Sequence, residues 1–312
     1  MISEEEYPGL NELDSEKRWY APFCNMQQIE RIFNPQNGND ILLKKQVDSV
    51  LDNMRINRVF YKRYNMSNNW NIEEQFDKSI FELFQTILVE TDLYKKFEEI
   101  PCGMTYDSDA NGQCIKPPFG NIITISAILE HFLFYINLYY YGVCSEKVPD
   151  NVAYSARCIA LRIMLHTEAL DFDLDPRGEI PEEIETEIRS NTRWELLFVV
   201  AHEFSHNILG HLDKNNIIRC VTNSSTSIIY NQSQKQELEA DIRAVEIMKN
   251  VLGVESAMEM AISFFMSLDL YEQVKEQIFP SISTYKTHPC AVDRIKNIYN
   301  YFGKMRQDTK NI

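Results

Sequence analysis

The chain has 312 residues, 44% hydrophobic and 25% charged, with 10 glycines and 11 prolines, values of a globular protein with ample material for a core; fibrous and disordered classes are excluded. Forty-six acidic against 31 basic side chains leave a net charge of −15, which repels phosphate backbones and anionic headgroups, so nucleic acid is not an expected partner. Seven scattered cysteines form no C-x-x-C pair, and three glutamates (Glu4, Glu5, Glu6) stand where a secretory signal needs a basic start; no disulfide framework is expected, and the location expected is the cytoplasm.

In chain order, residues 1–70 carry turn signals at Asn34–Asp40 and predict only short helical pieces. From Asn71, the apolar residues Phe76, Ile80, Leu83, Phe84 and Ile87 recur at three and four, predicting one helix capped near Asn71. Residues Pro101–Gly120 read as a loop. Within it Asp107, Asp109, Asn111 and Gly112 reproduce the first half of a calcium-binding loop, but Pro118 stands where a bidentate glutamate must close the cage, so an Asx-rich turn is expected. Gly120–Cys144 is the longest apolar stretch. Asn121, Glu130, His131 and Asn137 interrupt it, so a buried helix is predicted and membrane contact is not expected. Tyr154–Leu170 reads as a further core segment, the acidic run Asp171–Ile188 as a solvated face, and His131 and His166 as core histidines. The predicted fold class is mainly α, or α+β with at most a small sheet, with an N-terminal helical region over 1–118 and a metallopeptidase core over 119–312.

The chemistry concentrates in TRWELLFVVAHEFSHNILGHL, residues 192–212. Thr192 and Glu195 have capping-box form and predict a helix start there. His202 and His206, four residues apart, share one helix face, so both imidazoles can reach one cation, and Glu203 completes H-E-x-x-H, in which the glutamate takes a proton from metal-activated water. A third ligand is required, and Glu237 on a second predicted helix, starting at Ser233, supplies it; Asp241 one turn on can fix the tautomer of a ligand histidine. Ala240 and Ala244 let the two helices approach. His211 reads as a hydrogen-bonded structural histidine, and the connection over 213–232 as a candidate lid. His288, before Pro289, is placed by the proline at a helix entrance or in a loop able to face the cleft and donate to an oxyanion.

H-E-F-S-H-N-I-L-G-H (His202 to His211), E-L-E-A-D (Glu237 to Asp241) and T-H-P-C-A-V-D-R-I (Thr287 to Ile295) together resemble the gluzincin metallopeptidases of the HtpX and CAAX-prenyl-protease type. The resemblance implies a zincin-like core built on two metal-binding helices and a Zn2+ cofactor held by His202, His206 and Glu237. It further implies Glu203 as general base, Asp241 as support to a ligand, His288 near the scissile carbonyl and Arg294 as a structural or substrate-side partner. The absence of flanking membrane helices sets the chain apart from that type. Its size and acidity are similar to those of the Lit-type phage-exclusion peptidases, which cleave a translation factor, a likeness that implies a role in regulation or phage defence.

The expected function is therefore a zinc-dependent endopeptidase acting on an intracellular protein or peptide. The alternative is a catalytically silent, metal-stabilised interaction protein. An activating partner is expected as well, because a free, always-active cytoplasmic protease is hazardous to its cell.

Overall fold

A computed structural model describes residues 14–145, 147–178, 180–214, 226–279 and 289–309, with 214, 226–233 and 304–309 described by backbone alone. Thirteen α-helices are seen among these residues. The N-terminal third holds α1 (Ser15–Arg18), α2 (Met26–Phe33), α3 (Gly38–Leu51), α4 (Met54–Met66), α5 (Ser79–Leu88) and α6 (Tyr94–Glu98). Next come strands β1 (Cys102–Thr105), β2 (Gly112–Ile115) and β3 (Ile122–Ser126), then α7 (Ala127–Cys144), α8 (Asp150–Met164), α9 (Glu182–Ile208), α10 (His211–Lys214), α11 (Thr226–Leu252), α12 (Val254–Ile278) and α13 (Ala291–Thr309). The fold is mainly helical with one small sheet, as the composition and periodicity predict.

Several local expectations are corrected. Asn71 caps not α5 but a 3-10 turn, Ile72–Gln75, with its side chain accepting from the Glu73 N–H; α5 starts only at Ser79. The segment 101–120 is not all loop. β1 runs parallel to β3 with Cys102 opposite Ile123, and β2 antiparallel with Gly112 opposite Ile125, in the order β1-β3-β2. Asp107, at the turn between β1 and β2, accepts from the Thr105 hydroxyl at 2.9 Å and pairs with Lys45 at 3.0 Å, which binds it as structure. The apolar stretch from Gly120 divides: Ile122–Ser126 becomes the buried central strand, and Ser126 then caps α7 by accepting from the Ile128 N–H. The acidic run is not simply solvated. Asp171 is buried between Arg177 and Arg58, at 3.0 and 2.6 Å, and Ile184 and Ile188 face the core. His131 stacks on Phe172, but His166 is exposed, with a left-handed φ of 56° and Nδ1 3.0 Å from the Ser108 carbonyl.

The long helix α9 organises the rest. Pro181 precedes it and Glu182, Glu183 and Glu185 occupy its first turn, where negative charge favours the helix dipole. It therefore starts ten residues before the predicted capping box. Thr192 and Glu195 serve tertiary contacts instead: the Asn137 amide donates to both, and the Ser263 hydroxyl donates to Glu195. Around its circumference, Phe204 packs edge-on against Phe84 and Phe97, and Phe198 against Phe264 and Phe265 of α12. Aromatic contacts on two sides leave α9 little freedom to rotate, so side chains on its remaining face are fixed in direction.

A second hydrophobic cluster, built on Phe23, Leu43, Val47 and Phe60, joins α2, α3 and α4. It meets the sheet where Gln46 donates to the Met104 carbonyl at 2.9 Å and the Ser49 hydroxyl accepts from the Tyr106 N–H. No described helix is long and apolar enough to cross a membrane.

Candidate active site

The face of α9 free of aromatic packing carries His202 and His206, and α11 crosses it. Ala240 and Ala244 are fully buried at the contact, so the α11 backbone comes close enough for the carboxylates flanking them to meet the imidazoles. α11 begins at Thr226, ahead of the predicted start at Ser233, whose side chain lies outside the described residues.

The two Nε2 atoms of His202 and His206 are 3.1 Å apart. Glu237 reaches both, with Oε2 3.3 Å from His202 Nε2 and Oε1 3.3 Å from His206 Nε2. Four ligands around a zinc at bonds of about 2.0–2.1 Å lie about 3.3 Å apart along a tetrahedron's edges. The spacing of these three groups is that of three corners of such a site, and they are the His/Cys/Asp/Glu group among the described residues that could hold a metal.

Charge points the same way. Glu203, Glu237 and Asp241 are three buried carboxylates, answered by one buried guanidinium, Arg294. Buried charge in excess must be balanced or neutralised, and a divalent cation beside two neutral imidazoles does so. Burial by itself would make the His202 imidazole harder to protonate; its hydrogen bonds to Asp241 and Glu237 outweigh that and push its pKa up to about 10, so the pocket attracts positive charge.

Asp241 is fully buried and accepts on both sides, from His202 Nδ1 at 2.9 Å and from Arg294 Nε and Nη2 at 2.8 and 2.5 Å. Burial would raise the pKa of its carboxyl, but the Arg294 guanidinium holds it below the usual carboxylate range. With Nδ1–H of His202 committed to Asp241, the lone pair of Nε2 is left facing His206 and Glu237. Arg294, from the first turn of α13, also stands 3.5 Å from Glu237 and lies over the Phe265 ring at 4.3 Å. Its place is structural, tying α13 to α11.

Glu203 follows His202 and lines a cavity of about 170 Å³ together with His202, Glu237 and Arg294, walled by Phe198 and Phe264. Gly112 of β2 forms part of the rim. A Cβ there would stand 2.6 Å from Val199 Cγ1 and 3.2 Å from Glu203 Cγ, so only glycine lets this edge strand lie against α9 beside the glutamate. A larger cavity, about 1090 Å³, opens between α7, α8 and the N-terminal half of α9 and contains none of these residues. Volume alone does not locate the chemistry.

His202, Glu203, His206, Glu237, Asp241 and Arg294 are thus brought together as their spacing suggests. His288 lies outside the described residues, as do residues 215–225 of the candidate lid. Sequence reasoning missed β2, whose four residues lack a strand's alternation, and the α12 wall, whose aromatic residues resemble any core stripe. It also left His211 without a contact to the site; His211 Nδ1 stands 3.0 Å from His206 Nδ1.

Residues 195–310 match the family model Peptidase U49. No curated protein and no solved structure gives a significant match. Of the two resemblances drawn from the motifs, it is the Lit-type one that this match supports. The matched segment includes both ligand-bearing helices and Arg294, and it supports peptidase function for the chain that carries it.

Proposed function

We propose that the chain is a zinc-dependent endopeptidase, with His202, His206 and Glu237 as the metal ligands and Glu203 as the general base. The observation that carries this reading is the set of three ligand atoms 3.1–3.3 Å apart, with a carboxylate next in sequence lining the same cavity. A zinc held there supplies Lewis-acid polarisation of the scissile carbonyl and brings the pKa of a water to about 7.

The protein's own groups do the rest. Glu203 takes the proton of the attacking water on a carboxylate oxygen and passes it to the amine nitrogen as the C–N bond breaks. Asp241 keeps the His202 proton on Nδ1, and Arg294 keeps Asp241 ionised. The substrate is a protein or peptide, and β2 is the element suited to receive it. As an edge strand beside Glu203 it offers an extended chain main-chain hydrogen bonds that do not depend on sequence.

The test is proteolysis of unfolded protein substrates by the zinc-loaded chain. Glu203→Gln should retain metal and lose about 10²–10⁴ in rate. Undiminished cleavage by that variant rejects Glu203 as the base.

A further inference from the structure

α9 ends at Ile208, and Gly210 follows with φ +65°, its N–H donating to the Asn207 carbonyl at 3.1 Å. This left-handed residue reverses the chain at the helix end, a conformation that glycine adopts without strain. The reversal returns His211, the first residue of α10, beneath the last turn of α9, where only 2% of it is exposed. There His211 Nδ1 meets His206 Nδ1 at 3.0 Å, and His211 Nε2 stands 3.4 Å from Oε2 of Glu239 on α11.

Two imidazole nitrogens at that distance bond only if one carries a proton and the other does not. His206 Nε2 faces His202 and Glu237, where a cation requires a lone pair. The His206 proton therefore belongs on Nδ1 and is donated to a bare Nδ1 of His211. The His211 proton then sits on Nε2, toward the Glu239 carboxylate.

We propose that His211 is a positioning residue for the second metal ligand: the chain Glu239–His211–His206 fixes the tautomer and ring orientation of His206, as Asp241 does directly for His202. The proposal rests on the zinc reading above. It extends the functional motif past H-E-x-x-H to Gly210 and His211, and it gives α11 a third task, since Glu237, Glu239 and Asp241 each serve one of the three histidines.

The experiment is a Zn2+ competition titration against a chromophoric chelator, with thermal melts of the chelator-stripped proteins beside it. His211→Phe keeps ring bulk without an acceptor, and it should weaken zinc binding about 10–100-fold. His211→Asn places an oxygen near the former Nδ1 and should recover most of that loss, a rescue that a merely space-filling role would not give. Glu239→Gln, at a half-exposed site that leaves the core untouched, should weaken binding about two- to five-fold. Wild-type affinity in His211→Phe overturns the proposal, as does His211→Asn binding as weakly as His211→Phe. If the stripped His211→Phe protein does not melt cooperatively, Glu239→Gln decides, and unchanged affinity there overturns it. A wild-type chain that takes up no zinc brings down the zinc reading and this proposal together; a wild-type chain that binds while the variants bind equally well overturns this proposal alone.

Discussion

Asp241 accepts hydrogen bonds from His202 on one side and from Arg294 on the other, with no exposure to water. Its charge therefore serves two partners. Asp241→Asn keeps one acceptor oxygen but removes the charge, so zinc affinity should fall about 10–100-fold, and metal-free stability should fall by about 3–5 kcal/mol as the Arg294 guanidinium loses its balancing partner. Chelator competition and urea unfolding read the two effects separately. Glu195, two turns before His202, behaves differently. Burial raises its pKa to about 7, against the lowering effect of bonds from Ser263 and Asn137. Its folded pKa lies above the unfolded value, so the folded state binds the extra proton, and stability is lost as pH rises from about 4.5 to 7. A shift of that size is worth about 3 kcal/mol. Glu195→Gln should flatten this slope, leaving stability unchanged at pH 4.5 and raised at pH 8; equal slopes in denaturant titrations of both proteins would refute the assignment.

At the scale of elements, the site was legible wherever its geometry is local. His202 and His206 lie on one face because a helix turns every 3.6 residues, and Glu237 and Asp241 for the same reason. What joins the two helices is tertiary, and there sequence signals mislead. Thr192 and Glu195 have the spacing of a helix start, yet both are consumed by Asn137 and Ser263 in mid-helix. β2 has four residues with no alternation of polarity, so its strand character comes from pairing with β3 rather than from its own pattern. Gly112 shows the consequence. Gly112→Val would drive a side chain into Val199 and toward Glu203, displacing β2 from α9. We expect a loss of about 1–3 kcal/mol in stability and a larger loss in peptidase kcat/KM than in zinc affinity, because the ligands sit on α9 and α11. Equal loss of both would show instead that the strand supports the ligand cluster.

For the whole molecule, the two hydrophobic clusters meet at the sheet, and α9 carries the larger one through to the site. The Peptidase U49 match begins at Glu195 on that helix and takes in α11, α12 and α13, so the residues that the match, the ligand spacing and the buried charge each single out are the same. The acidic character of the chain, net −15, gave early notice only of what it does not bind; the excess of buried carboxylate around two imidazoles was not visible in composition. The central claim is a metal held by His202, His206 and Glu237. Elemental analysis of the purified protein after zinc loading and gel filtration tests it most directly. The account predicts about one zinc per wild-type chain and essentially none in His206→Ala or Glu237→Ala proteins that still melt cooperatively. Zinc retained by those folded variants, or absent from the wild-type chain, would contradict it.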